Sequence, residues 1–77
     1  MREKLIEVFV SVFGIPESEV PSSEFKVTQQ WDSVGHVNLM NAIEEEFDIS
    51  LEPDDILDFR SFAKGMEILA KYDVGSR

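Results

Sequence analysis

Hydrophobic residues along the chain recur at helical spacing. Leu5, Ile6, Phe9, Val12 and Phe13 fall at i, i+1, i+4, i+7 and i+8, the stripe of an amphipathic helix that Gly14 and Pro16 bring to an end. From Gly14 to Asp32 the period disappears among Pro16, Ser18, Pro21, Ser22 and Ser23. That stretch predicts a long loop with room for one turn around Glu17 to Val20, pinned across the molecule by Phe25, Val27 and Trp31. Between Ser33 and Phe47 a second stripe of His36, Leu39, Met40, Ile43 and Phe47 predicts a helix with that face inward. Its other face carries Val34, Asn38, Asn41 and Glu45, with Val37 at the boundary, so apolar surface is shown to solvent near its start. Pro53 suits the first turn of a short third helix with Ile56, Leu57 and Phe59 inward and Asp54 and Asp55 at its positive end. Ser61 reads as the N-cap of a fourth, whose inner stripe is Phe62, Met66, Leu69 and Ala70, and Asp73 to Arg77 is expected to fray.

With no strand alternation, the pattern predicts an all-α fold: a small four-helix bundle, residues 1–77 in one domain, with a long loop between helices one and two and a short third helix. Gly35 and Gly65 sit within helical segments, where each costs up to about 1 kcal/mol relative to Ala. For Gly35, near the start of the second helix, the close approach of a partner is one expected reason.

Charge narrows the function. Seven Lys and Arg against sixteen Asp and Glu leave a net charge of -9, and nucleic-acid binding needs the cationic face that this chain lacks. The acids are also unevenly placed. From Val27 through Phe59 the chain holds Asp32, Glu44, Glu45, Glu46, Asp48, Glu52, Asp54, Asp55 and Asp58 with no Lys or Arg; the bases are Arg2, Lys4, Lys26, Arg60, Lys64, Lys71 and Arg77. Such a run is either a solvated face or a field that steers basic partners. Six Phe, one Trp and a hydrophobic fraction of 43 % are too apolar for a disordered acidic tail. No apolar run approaches the roughly 18 residues of a membrane span, and Met1 to Glu7 carries charges where a signal peptide would be apolar. A cytoplasmic monomer without membrane insertion is expected. Zero Cys and a single His exclude disulfides, cysteine-ligated metals and His clusters, and Glu52 to Asp58 lacks the central Gly of a calcium loop.

Ser33 opens the second helix directly after Asp32. Its plain role is an N-cap accepting from the amide of Gly35 or His36. The alternative is an attachment point, since an accessible hydroxyl there can hold a phosphodiester in the field of unsatisfied N–H groups. As a nucleophile it has little support, because His36 lies on the inner stripe. Trp31-Asp32-Ser33-Val34-Gly35-His36-Val37-Asn38-Leu39, followed by Ala42-Ile43-Glu44-Glu45-Glu46-Phe47, resembles the acyl carrier protein family, the phosphopantetheine-attachment domain, and the likeness extends over nearly the whole chain. The resemblance implies that Ser33 receives 4′-phosphopantetheine from coenzyme A through a magnesium-dependent phosphopantetheinyl transferase, and that the chain is a non-catalytic carrier of acyl thioesters. It also implies that Asp32, Glu44, Glu45 and Asp48 meet basic docking patches on acyl-transferring or acyl-activating enzymes, with Val34 and Val37 as the apolar centre of the contact.

The familiar fatty-acid carriers are acidic in the first turns of this helix, where this chain has Gly35 and Asn38, with Asn41 a turn further on. That points to a specialised, stand-alone carrier of fatty acid, polyketide or other lipid and modification pathways. Gly at the second position after the serine is shared with carriers of D-alanine, which keeps an aminoacyl cargo open; Gln30-Trp31-Asp32-Ser33 lacks the Gly-Gly-x-Ser of peptidyl carriers. An unmodified acidic adaptor with the same bundle also stays open. His36 and Trp31 read as a packing histidine and a loop anchor, and Met40 and Met66 as adaptable core.

Overall fold

The structure, a computed structural model, describes residues 1–72. It is helical, as the periodicity predicts: α1 Arg2–Phe13, a 3₁₀ helix Glu17–Ser22, α2 Ser33–Phe47, α3 Pro53–Asp58 and α4 Phe62–Ala70. Among the described residues the only strand-like feature is an isolated bridge between Glu24 and Ser61. The fraying expected of Asp73 to Arg77 lies outside the described residues.

α1 stops where Gly14 adopts a left-handed conformation (φ 68°) and donates its amide to Val10 O at 2.8 Å. Its buried face is Leu5, Ile6, Val8, Phe9 and Phe13, with Val12 only half-buried at the margin. The following loop holds more structure than one turn. The 3₁₀ helix runs to Ser22 with Pro21 inside it, seats Val20 in the core, and is closed by Ser23 Oγ donating to Val20 O at 2.6 Å. Phe25 N then bonds Arg60 O (2.8 Å) and Phe62 N bonds Ser23 O (3.2 Å), so this stretch lies along the α3–α4 junction. Trp31 anchors the loop as expected: it is fully buried, 5.2 Å from the Phe9 ring, 5.6 Å from Phe13 and 6.2 Å from Phe59. Val27 does not. Amides of Val27 and Thr28 both bond Glu24 O, and the resulting turn leaves Val27 at its tip, 74 % exposed.

α2 buries Leu39, Met40, Ile43 and Phe47. Gly35 is explained within the chain rather than by a partner: a Cβ there would collide with the Gln30 carbonyl and lie 3.2 Å from the Phe13 ring. Gly65 has a matching reason, since a Cβ would strike the Phe59 ring that packs onto α4. In α4, Ser61 Oγ accepts from Lys64 N at 3.0 Å, confirming the cap. The buried arc there is Phe62, Gly65, Ile68 and Leu69, so Ile68 takes the inward place expected of Ala70, which is exposed.

α3 also corrects an expectation. Phe59 just beyond it is buried and Ile56 half-buried, but Leu57 is 63 % exposed. Consecutive helical residues are about 100° apart, and the inward direction is occupied by Asp55, Ile56 and Phe59. Asp55 is buried because it is paired: Oδ1 accepts from Lys71 Nζ at 2.6 Å and Oδ2 from the Tyr72 hydroxyl at 2.5 Å, while Tyr72 accepts from Glu52 N at 2.9 Å. The hydrogen bond from Lys71, then that from Tyr72, holds the Asp55 carboxyl below the usual carboxylate range. The hydrogen bond to Asp55 raises Lys71, and burial, then the same carboxylate, raises Tyr72.

Candidate functional site

Asp32 and Ser33 are both good helix caps, and the geometry separates them. Asp32 is extended (φ −98°, ψ −168°), its Oδ1 accepts from Gly35 N at 2.8 Å, and its carbonyl accepts from His36 N at 2.8 Å. Asp32 is therefore the N-cap, and Ser33, read from sequence as the capping candidate, is the first residue inside α2. Ser33 is exposed, and among the described residues its hydroxyl has no hydrogen-bond partner. It stands at the positive end of a 15-residue helix.

The junction beneath it is rigidly braced. Trp31 Nε1 donates to His36 Nδ1 at 2.9 Å, and His36 Nε2 lies 2.8 Å from Ile56 O. An indole N–H can only donate, so Nδ1 is the acceptor and Nε2 carries the hydrogen given to Ile56. The imidazole stacks on Trp31 (interplanar angle 17°) and meets the Phe25 ring at 5.2 Å. His36 is thus more than a packing histidine: it bolts the loop and α3 to the first turn of α2. It also has no lone pair left for the Ser33 hydroxyl, so His36 does not serve that serine as a general base.

Around the serine, Val34 (70 % exposed) and Val37 (58 %) face solvent as the sequence suggests. Leu57 joins them as exposed apolar surface, one residue from the His36–Ile56 bond. Sequence reasoning missed it by turning it inward. Glu45 and Asp48 are exposed on α2, and Asp48 also ends the helix in a left-handed conformation (φ 55°). Glu44 is different. It is half-buried and its Oε2 accepts from Leu51 N at 2.8 Å, so one oxygen holds the α2–α3 loop. Among the described residues the ion pair is Lys71–Asp55, between α3 and α4, which leaves the carboxylates of α2 without a base in contact.

An exposed, unengaged hydroxyl at a helix N-terminus, with no metal-binding cluster among the described residues, suits a covalently loaded carrier. The first-turn amides there favour a phosphodiester, so the residues present fit a phosphopantetheine group. The family model described as "Phosphopantetheine attachment site" matches residues 3–64. The chain belongs to that family, whose domains carry 4′-phosphopantetheine. No solved structure was found to match it. Among the described residues no helix is long and apolar enough to cross a membrane.

Proposed function

We propose that Ser33 is the attachment residue and that the protein is a non-catalytic acyl carrier of a specialised biosynthetic pathway. The observation that carries this reading is the division of labour at the start of α2: Asp32 takes the cap, and the Ser33 hydroxyl is left exposed and free. Ser33 Oγ takes the phosphopantetheinyl group from coenzyme A while 3′,5′-ADP leaves, and its proton goes to a base of the transferase because His36 has none to offer. Once bound, the arm supplies a thiol that holds an acyl group as a thioester. The chain's own part is to present it. Asp32, Glu45 and Asp48 steer basic docking patches, Glu44 contributes with its remaining oxygen, and Val34 and Val37 supply the apolar centre. Neutral Asn38 and Asn41 in place of acids support a dedicated partner set. Gly35 is accounted for by the Gln30 carbonyl and so says nothing about the cargo.

The test is intact mass before and after incubation with coenzyme A, magnesium and a broad-specificity phosphopantetheinyl transferase. One phosphopantetheine increment is expected on the wild type and none on Ser33→Ala. A folded wild type that gains no mass, with that transferase or one from its own source, identifies an unmodified acidic adaptor instead.

A further inference from the structure

Lys26 and Arg60 lie 34 positions apart in the sequence and share one aromatic ring. Arg60 Cζ is 4.7 Å and Lys26 Nζ 5.8 Å from the centroid of Phe25. The pairing is built by the backbone: the Glu24–Ser61 bridge and the Phe25 N to Arg60 O bond bring the two segments together. Lys26 itself is held in a left-handed conformation (φ 65°) with its amide on Trp31 O at 2.7 Å. Arg60 is fixed twice, by the ring and by Nε donating to Leu57 O at 2.8 Å, which leaves both terminal guanidinium nitrogens free. Neither base is engaged by a carboxylate: among the described residues the ion pair is Lys71–Asp55, and neither Glu24 nor Asp58, close to them in sequence, reaches either base.

Through Phe25 and His36 the pair is linked to the first turn of α2, where the proposed attachment residue lies. Ser33 and His36 are i and i+3 neighbours on α2, and the His36 ring meets Phe25 at 5.2 Å. We propose that Lys26 and Arg60 form an anion-binding shoulder for the cargo, selecting acyl groups that end in a carboxylate. This rests on the reading of Ser33 as the attachment site. A guanidinium with both terminal nitrogens free is shaped for bidentate contact with a carboxylate. The phosphodiester is not the occupant, because it is bonded to Ser33 and stays at the helix end. A protein partner is disfavoured by charge, since a surface that complements the carboxylates of α2 is basic and is repelled by Lys26 and Arg60. A carboxylate on a flexible arm meets no such conflict, and the charged side chains of α2 itself, Glu44, Glu45 and Glu46, would repel it.

The experiment loads the intact protein, with magnesium and the broad-specificity phosphopantetheinyl transferase, from glutaryl-coenzyme A and, separately, from valeryl-coenzyme A, which differ at the end of the acyl chain; 3′,5′-ADP leaves in each case. Loading is verified by mass, and ¹H–¹⁵N shifts are compared. The glutaryl form is expected to shift the Phe25, Lys26 and Arg60 amides and Arg60 Nε relative to the valeryl form. Those differences should collapse in half-molar salt and be absent in the Lys26→Gln/Arg60→Gln double variant, while Arg60→Lys keeps part of them. The comparison on wild type needs no variant to fold. Identical shifts in the two forms, or carboxylate-dependent shifts that lie elsewhere or survive the double substitution, overturn the proposal while leaving the carrier reading intact. Failure to load either acyl group or coenzyme A itself, with that transferase or one from the protein's own source, overturns both.

Discussion

Asp32 and Ser33 are adjacent, and a single residue of phase decides which caps the helix and which is left free. Because Asp32 Oδ1 holds the Gly35 amide, Asp32→Ala should lower stability by about 1 kcal/mol, a fall of about 4–8 °C in melting temperature for a domain of this size. Ser33→Ala should abolish phosphopantetheine attachment yet change stability by less than about 0.5 kcal/mol, as surface substitutions generally do. Melting curves of the two variants side by side check this, and equal losses would show that the serine shares the cap. The same pair shows where sequence reading runs out, since Asp and Ser cap helices almost equally well and only the hydrogen-bond ladder distinguishes them. Lys26 and Arg60 make the point more strongly: nothing local to either residue announces a shared ring.

At the scale of the elements, α3 is the part held least by apolar packing. Six residues long, with Leu57 outward and Ile56 half-buried, it depends on the His36–Ile56 bond and on Asp55 with Lys71 and Tyr72. The folded carboxyl of Asp55 is depressed, so its contribution is complete above the ordinary carboxylate value near 4 and is lost as pH falls through the lower folded value. Lys71 and Tyr72 are raised, so theirs is complete below about 10 and is lost as pH rises through the folded values. Asp55→Asn should therefore melt below wild type across the neutral range, with the gap narrowing below about pH 4 and above about pH 10. Circular-dichroism melts across pH measure it; a gap that widened in acid would show that the carboxylate is not what ties α3 to α4.

The whole molecule is small beside the reach of its own field. Its longest extent is 30 Å, close to the Debye length of about 30 Å at 0.01 M salt and far above the 3 Å or so at 1 M. At low salt the nine excess negative charges therefore act on one another across the entire domain. Raising monovalent salt through that range should raise stability on the order of 1 kcal/mol, or about 4–8 °C. A melting temperature flat with ionic strength would mean that the acids are already compensated within the fold. The same field makes encounters with basic partners fast at low salt and brief at physiological salt, which suits a protein that must hand its cargo on.

The sequence by itself determined the helices, the acidic face, the buried Trp31 and the Asp-Ser pair at the head of α2, because periodicity, punctuation and charge are local properties of the chain. Where an element is short or its margin matters, the reading slipped: Val27 is carried outward at the tip of a turn, while Leu57 points outward and Ile68 replaces Ala70 because each residue of helical phase is about 100° of rotation. Only the tertiary structure decided the rest. It gave Gly35 its reason in the Gln30 carbonyl, made His36 a bolt between three segments, engaged Glu44 with the Leu51 amide, and brought Lys26 to Arg60. Each of these is a contact between segments whose separation in sequence carries no signal, and each exists because the packed core brings those segments together.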